Sequence, residues 1–177
     1  MSLSVLRTAD AWWVLTPEGT AARVRRRLYV DGSYARGNES FETLSIDRID
    51  QRNRPLSTTY TYNTTASNVT AYVIDTGVRP SHNQFGGRAQ SVYNSAGGSN
   101  DDCNGHGTHV AGTIGAKGNN GQGITGVAWD VSLLPIRAGD VDLETVDVVE
   151  SFVYACEMGA HVVNASFGGP RSNAVRD

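Results

Sequence analysis

The feature that most constrains this chain is a β-branched apolar run closed by a carboxylate. Val69-Thr70-Ala71-Tyr72-Val73-Ile74 shows little alternation of polar and apolar residues, the mark of a strand covered on both faces. Such a strand needs elements packed above and below it, and the sequence supplies them downstream. Val131 to Ile136 is a second apolar strand, His161-Val162-Val163-Asn164-Ala165-Ser166 a third, and Arg88 to Tyr93 a further candidate. His106 to Ala116 reads as a helix packed through small residues, followed by a glycine-rich loop from Gly118 to Gly126. Leu143, Val146, Val149, Val153 and Cys156 recur at helical spacing and predict the buried face of a second helix, with Gly159 as its stop. Strands alternating with helices predict an α/β fold, a doubly wound, mostly parallel sheet with helices on both faces and right-handed crossovers.

In sheets of this kind ligand sites gather outside the carboxyl ends of the strands, which is where Asp75-Thr76-Gly77 falls. Asn104-Gly105-His106-Gly107-Thr108-His109-Val110-Ala111-Gly112 then places a histidine, 31 positions after Asp75, at the mouth of a glycine-rich turn. A carboxylate and a histidine so arranged are two members of a nucleophilic triad. A serine hydroxyl is a poor nucleophile until a base takes its proton, and an imidazole with a pKa near ~6.5 suits that task. A buried carboxylate on the other ring nitrogen fixes the tautomer and stabilises the imidazolium. Asp75 is therefore the candidate orienting carboxylate and His106 the candidate general base. Gly105 and Gly107 are expected to keep bulk away from the imidazole, with Thr76 and Thr108 adding hydrogen bonds that hold the pair.

Other chemistries fit less well. His106 and His109 form an HxxH pair with no third ligand in view, so no metal site is expected, and His109 is expected to be structural and partly buried. His82 and His161 fall in a loop and on a strand, without catalytic work. Asp-Thr-Gly after an apolar run also matches aspartic proteases, but these share a proton between two such motifs, and the sequence holds one.

Bulk properties narrow the class. At 177 residues, with 39% hydrophobic and 19% charged residues, the chain suits one soluble globular domain. The pattern divides it into a poorly patterned segment, 1–45, and a domain, 46–177. In the first, Arg23-Val24-Arg25-Arg26-Arg27 reads as a solvated face or linker and Leu28-Tyr29-Val30 as one short strand. A net charge of -3 argues against nucleic acid as a partner. No apolar run approaches the ~20 residues that cross a membrane, and no signal peptide is visible. Two cysteines, Cys103 and Cys156, do not define a disulfide framework.

The two motifs carry a family. Val73-Ile74-Asp75-Thr76-Gly77 and Asn104 to Gly112 resemble the Asp and His motifs of the subtilisin-like serine proteases, the peptidase S8 group. Asp47-Arg48-Ile49-Asp50-Gln51-Arg52, Tyr60-Thr61-Tyr62-Asn63 and Gln84-Phe85-Gly86-Gly87-Arg88 resemble the proteinase K branch in particular. The resemblance runs over roughly 45 to 170, the N-terminal part of the catalytic domain only, so the fold is expected in truncated form. It implies a serine-type endopeptidase that cleaves peptide bonds by acyl transfer, with Asp75 orienting and His106 acting as base. Asn164-Ala165-Ser166-Phe167-Gly168-Gly169 is similar to the family's Ser-Leu-Gly-Gly segment, which pairs with an extended substrate as an added strand. By that likeness Ser166, Phe167 and Gly168 line the substrate cleft. The resemblance also implies secretion, an extended protein or peptide substrate, a monomer at full length, and a prodomain of which residues 1 to about 40 are a remnant.

Departures from the family pattern set the remaining expectations. Its Gly-Thr-Ser motif and the later oxyanion asparagine do not occur within these 177 residues. The chain by itself is therefore expected to be nearly inert, poorly soluble or partly ordered. The alternative to an enzyme is an inactive fragment or pseudo-enzyme that at most binds extended peptides. Cys103 sits where some relatives form a disulfide, but Arg137-Ala138-Gly139-Asp140 stands where their partner cysteine lies. Lys117-Gly118-Asn119-Asn120-Gly121 resembles a loop that helps hold structural calcium in bacterial subtilisins. A plain glycine loop is the preferred reading here and calcium the alternative. No cofactor is expected for catalysis.

Overall fold

The computed structural model describes the backbone of Ser4–Thr8 and Ala11–Leu15, single positions at Ile46, Ile49, Asp50 and Asn53, and residues 59–168. Ser4–Thr8 (β1) and Ala11–Leu15 (β2) pair as an antiparallel ladder that the sequence reading did not anticipate. The basic run at 23–27 and the strand expected at 28–30 lie outside the described residues.

The domain is built on four strands: Thr70–Asp75 (β3), Tyr93–Asn94 (β4), Ser132–Arg137 (β5) and Val162–Ala165 (β6). They lie in the order β4-β5-β3-β6, and every neighbouring pair is parallel. β3, first of the four in the chain, is thus central: Ile74 pairs with Ile136 on one side and Ala165 on the other. Helix α1 (His106–Gly115) and helix α2 (Thr145–Glu157) supply the covering layers.

The period-two alternation of β3 decides which helix goes where. Ala71 and Val73, with Leu133 of β5, bury into a core with Val78, Phe85 and Ala111, against which Val110 and Ile114 of α1 also pack. Tyr72 and Ile74, with Ile136, bury on the opposite face against Val148 and Ala155 of α2. Among the described residues the sheet is therefore covered by α1 on one face and α2 on the other. Each fully buried Val, Ile or Leu contributes roughly 1.5–3 kcal/mol. Arg88 anchors the far end of α1, donating from Nη2 to the Gly115 carbonyl at 2.7 Å, where a cation also suits the helix dipole.

Two expectations are corrected. The segment from Arg88 to Tyr93 runs beside β5, with a single bridge at Ala89 and regular pairing only from Tyr93. Gln90 donates to the Leu133 carbonyl at 3.0 Å and Val92 to the Pro135 carbonyl at 3.2 Å. Pro135 has no N–H to return, so the ladder breaks there.

The second correction concerns α2. Its buried residues are Val148, Ser151 and Ala155, while Val146 and Val153 are 70% and 50% exposed. The helix carries two apolar stripes, and the sheet takes the one whose small residues permit close approach. Ser151 is accommodated because its hydroxyl donates to the Asp147 carbonyl at 2.7 Å and lies 3.0 Å from Ser95 Oγ.

In equilibrium denaturation of the whole gene product, Ile74→Ala should cost about 2–5 kcal/mol, whereas Val153→Ala should cost clearly less, as for a half-exposed side chain. Equal losses would put Val153 back on the buried face.

Candidate active site

Asp75 is the last residue of β3 and His106 the first of α1, so the two meet where a central strand ends and a helix begins. Asp75 Oδ1 lies 2.6 Å from His106 Nδ1. The carboxylate side chain is 1% exposed and the imidazole side chain 46%. Asp75 Oδ1 also accepts the Thr76 N–H at 2.8 Å, and Oδ2 is buried with no hydrogen-bond partner among the described residues. An oxygen that already acts as acceptor calls for Nδ1 to carry the proton, which leaves the Nε2 lone pair free to take another. The structure thus gives a half-exposed imidazole, oriented from behind by a buried acid.

The approach of α1 to β3 depends on two glycines. A Cβ at Gly107 would lie 1.9 Å from the Gly77 carbonyl oxygen and 3.1 Å from Asp75 Cβ, so no side chain fits there. The bulk excluded at 107 is therefore bulk against the β3 turn rather than against the imidazole. Gly105 has open space around it but a φ of 93°, a backbone that L side chains rarely adopt.

The first turn of α1 begins with backbone N–H groups that the helix itself cannot satisfy. Three side chains satisfy them. Asn104 Oδ1 accepts from His106 N at 3.3 Å, Thr76 Oγ1 from Gly107 N at 3.1 Å, and Asp102 Oδ2 from Thr108 N at 2.8 Å. Asp102 is the hub. Its Oδ1 accepts from Thr76 Oγ1 and Gly105 N, each at 2.8 Å, and its Oδ2 also takes the Thr108 hydroxyl. Of the two threonines expected to add hydrogen bonds around the pair, Thr76 bonds Asp75 through its backbone N–H, and the hydroxyls of both Thr76 and Thr108 go to Asp102. The sequence reading missed this residue; its signal was an acid three positions before the Gly105 turn and six before Thr108.

Burial pushes the Asp102 carboxyl up, but the hydrogen bonds from Thr108, Gly105 and Thr76 outweigh it and hold the group below the ordinary carboxylate range. Asp102 therefore adds stability that is complete above the unfolded value of about 3.9 and is lost as pH falls through its lower folded value.

The remaining expected residues are placed as follows. Ser166, Phe167 and Gly168 follow β6 directly, at the same end of the sheet as Asp75, since Ile74 pairs with Ala165. Ser166 and Gly168 are exposed, while Phe167 is half-buried and packs on the α2-side core. No hydrogen bond joins them to Asp75 or His106. His109 is exposed on α1 rather than partly buried, because α1 turns it away from the sheet. His82 lies in a turn, and His161 Nδ1 accepts the Thr70 N–H at 3.2 Å beside β3. Cys103 is exposed and Cys156 half-buried, and both are free thiols. Among the described residues no group of three or more His, Cys, Asp or Glu gathers to hold a metal, and no helix is long and apolar enough to cross a membrane.

The sequence profile of the Subtilase family matches residues 66–177. The chain belongs to that family. It is similar to the subtilase named alkaline serine exoprotease A of Vibrio alginolyticus, at 43% identity over 80% of this chain and 26% of the relative. It is 41% identical to the extracellular serine proteinase of Thermus sp. (strain Rt41A), over 92% of this chain and 41% of the relative. Among solved structures, a cold adapted subtilisin-like serine proteinase superposes with a TM-score of 0.65 at 42% identity, covering 73% of this chain and 48% of the other. The chain thus spans less than half of these subtilase relatives.

Gly107→Ala should destabilise this subtilase segment by about 3 kcal/mol or more, because backbone must move to admit the methyl group. Gly105→Ala should cost only about 1–2 kcal/mol, the left-handed backbone penalty. Thermal melts of the two variants check the order.

Proposed function

We propose that the chain is the N-terminal part of the catalytic domain of a serine-type endopeptidase. In this reading the nucleophilic serine and the oxyanion asparagine come from residues outside these 177. The observation that carries it is the 2.6 Å contact between the buried Asp75 and the half-exposed His106 at the carboxyl end of a parallel sheet, in a chain of the subtilase family.

In this reading the geometry supports a role for each residue. Asp75 holds the Nδ1 proton and the ring orientation. His106 Nε2 takes the serine proton as the hydroxyl attacks the scissile carbonyl, and the imidazolium, stabilised by Asp75, returns it to the leaving amine. Water repeats the sequence on the acyl-enzyme. Ser166 to Gly168 would pair with the backbone of an extended peptide, because they continue β6, the outer strand among the described residues, with Ser166 and Gly168 exposed. Secretion is proposed from the names of the relatives, one called extracellular and one an exoprotease. At full length we expect a monomer.

The 117–121 loop is read without calcium. Asn120 Nδ2 donates to Gln84 Oε1 at 2.9 Å, and Asn120 Oδ1 accepts the Gln122 N–H at 2.9 Å. Asn120 thus ties the loop to Gln84 on one side and to Gln122 on the other, the arrangement of a plain loop.

A fluorophosphonate probe tests the reading. The whole gene product should be phosphonylated on a serine beyond residue 177, with loss of fluoride, and the 177-residue chain should not be labelled. In the whole protein His106→Ala should lower kcat by about 10⁶-fold and Asp75→Ala by about 10⁴-fold, the losses known for subtilisin, which is itself the reference case. Labelling of the 177-residue chain would contradict the assignment. A whole gene product that is never labelled would favour the inactive, peptide-binding alternative.

A further inference from the structure

We propose that Asp102 is a positioning residue: by gripping Thr76 beside Asp75, together with Gly105 and Thr108 at the start of α1, its carboxylate keeps His106 Nδ1 on Asp75. The inference rests on the peptidase reading above and deepens it.

Asp75 and His106 belong to separate elements, and a contact of 2.6 Å between them needs both ends fixed. Between the β3 turn and α1 run a few further links. Gly107 N donates to Thr76 Oγ1 at 3.1 Å, and Arg79 N to Thr108 Oγ1 at 2.9 Å. Both hydroxyls that accept these bonds donate in turn to Asp102, Thr76 to Oδ1 and Thr108 to Oδ2. A hydroxyl whose proton is committed to a carboxylate must turn its lone pairs the other way, here toward the N–H groups of Gly107 and Arg79. Asp102 therefore sets the direction of both links at once. It also accepts two backbone N–H groups, Gly105 on one oxygen and Thr108 on the other. Bonds to an ionised acceptor are about twice as strong as neutral ones.

This arrangement makes an isosteric variant informative. A hydroxyl can reverse its donor and acceptor roles, but a backbone N–H cannot. Asn at 102 would set its NH₂ against the Gly105 N–H or the Thr108 N–H, whichever way the amide is turned. Thr76→Val removes the shared hydroxyl and leaves the Gly107 N–H unpaired, while Thr76→Ser keeps it. Asp102 has no hydrogen bond to His106 or Asp75, so its effect on them passes through these neighbours.

The test uses the whole gene product and reads two signals, the low-field proton resonance of the His106 Nδ1–H and the steady-state constants on a chromogenic peptide. Asp102→Asn and Thr76→Val should lose or shift that resonance at temperatures where circular dichroism reports a folded protein. Their kcat should fall about 10- to 100-fold, the scale of a misplaced catalytic group, with KM held within about twofold, as for an interaction felt only in the transition state. Thr76→Ser should restore both signals. Unchanged resonance and kcat in the folded variants would overturn the proposal, and so would losses that merely track the unfolded fraction. If fluorophosphonate fails to label the wild-type protein, the peptidase reading fails on its own, and the imidazole resonance still decides the role of Asp102.

Discussion

The structure turns on the contact between Gly107 and the carbonyl of Gly77. There the first turn of α1 comes so near the end of β3 that a methyl group would sit 1.9 Å from an oxygen. That proximity brings a side chain on the first helical residue within reach of one on the last strand residue. Asp75 and His106 occupy those two places. Their separation is a property of backbone packing before it is a property of the side chains.

Close packing at a helix N-terminus creates a problem that the same site resolves. The first N–H groups of α1 have no partner within the helix, and that of Gly107 is buried beside the Asp75 carboxylate. Asn104, Thr76 and Asp102 each take one of them. Thr76 lies on the β3 turn itself and Asp102 is bonded to it, so helix capping and site alignment share these two groups. Caps of this kind are worth about 1 kcal/mol each, modest for the fold yet comparable to the alignment of a single hydrogen bond.

Away from the site, α2 carries the other feature with functional weight. Its sheet-facing stripe is small, with Ser151 and Ala155 in contact with the layer beneath, and its second apolar stripe, with Val146 and Val153, faces outward among the described residues. A helix apolar on two sides is characteristic of a layer with neighbours on both. The chain spans 26% and 41% of the length of the two curated relatives named above.

The sequence by itself determined the central strand, the parallel α/β architecture and the two residues that meet at its carboxyl end. A run such as Val69 to Ile74 has no stable solution except burial on both faces, and the Asp75 and His106 motifs combine side chains with glycines that few other geometries need. Three things were decided only in three dimensions. Which stripe of α2 is buried depends on how closely the sheet allows a helix to approach, and periodicity is blind to that distance. The break between Ala89 and Tyr93 follows from Pro135, a residue far along the chain whose missing N–H matters only once β5 lies alongside. The role of Asp102 was hidden for the same reason: its partners, Thr76 on one turn and Gly105 and Thr108 on another, become neighbours only when Gly107 meets Gly77.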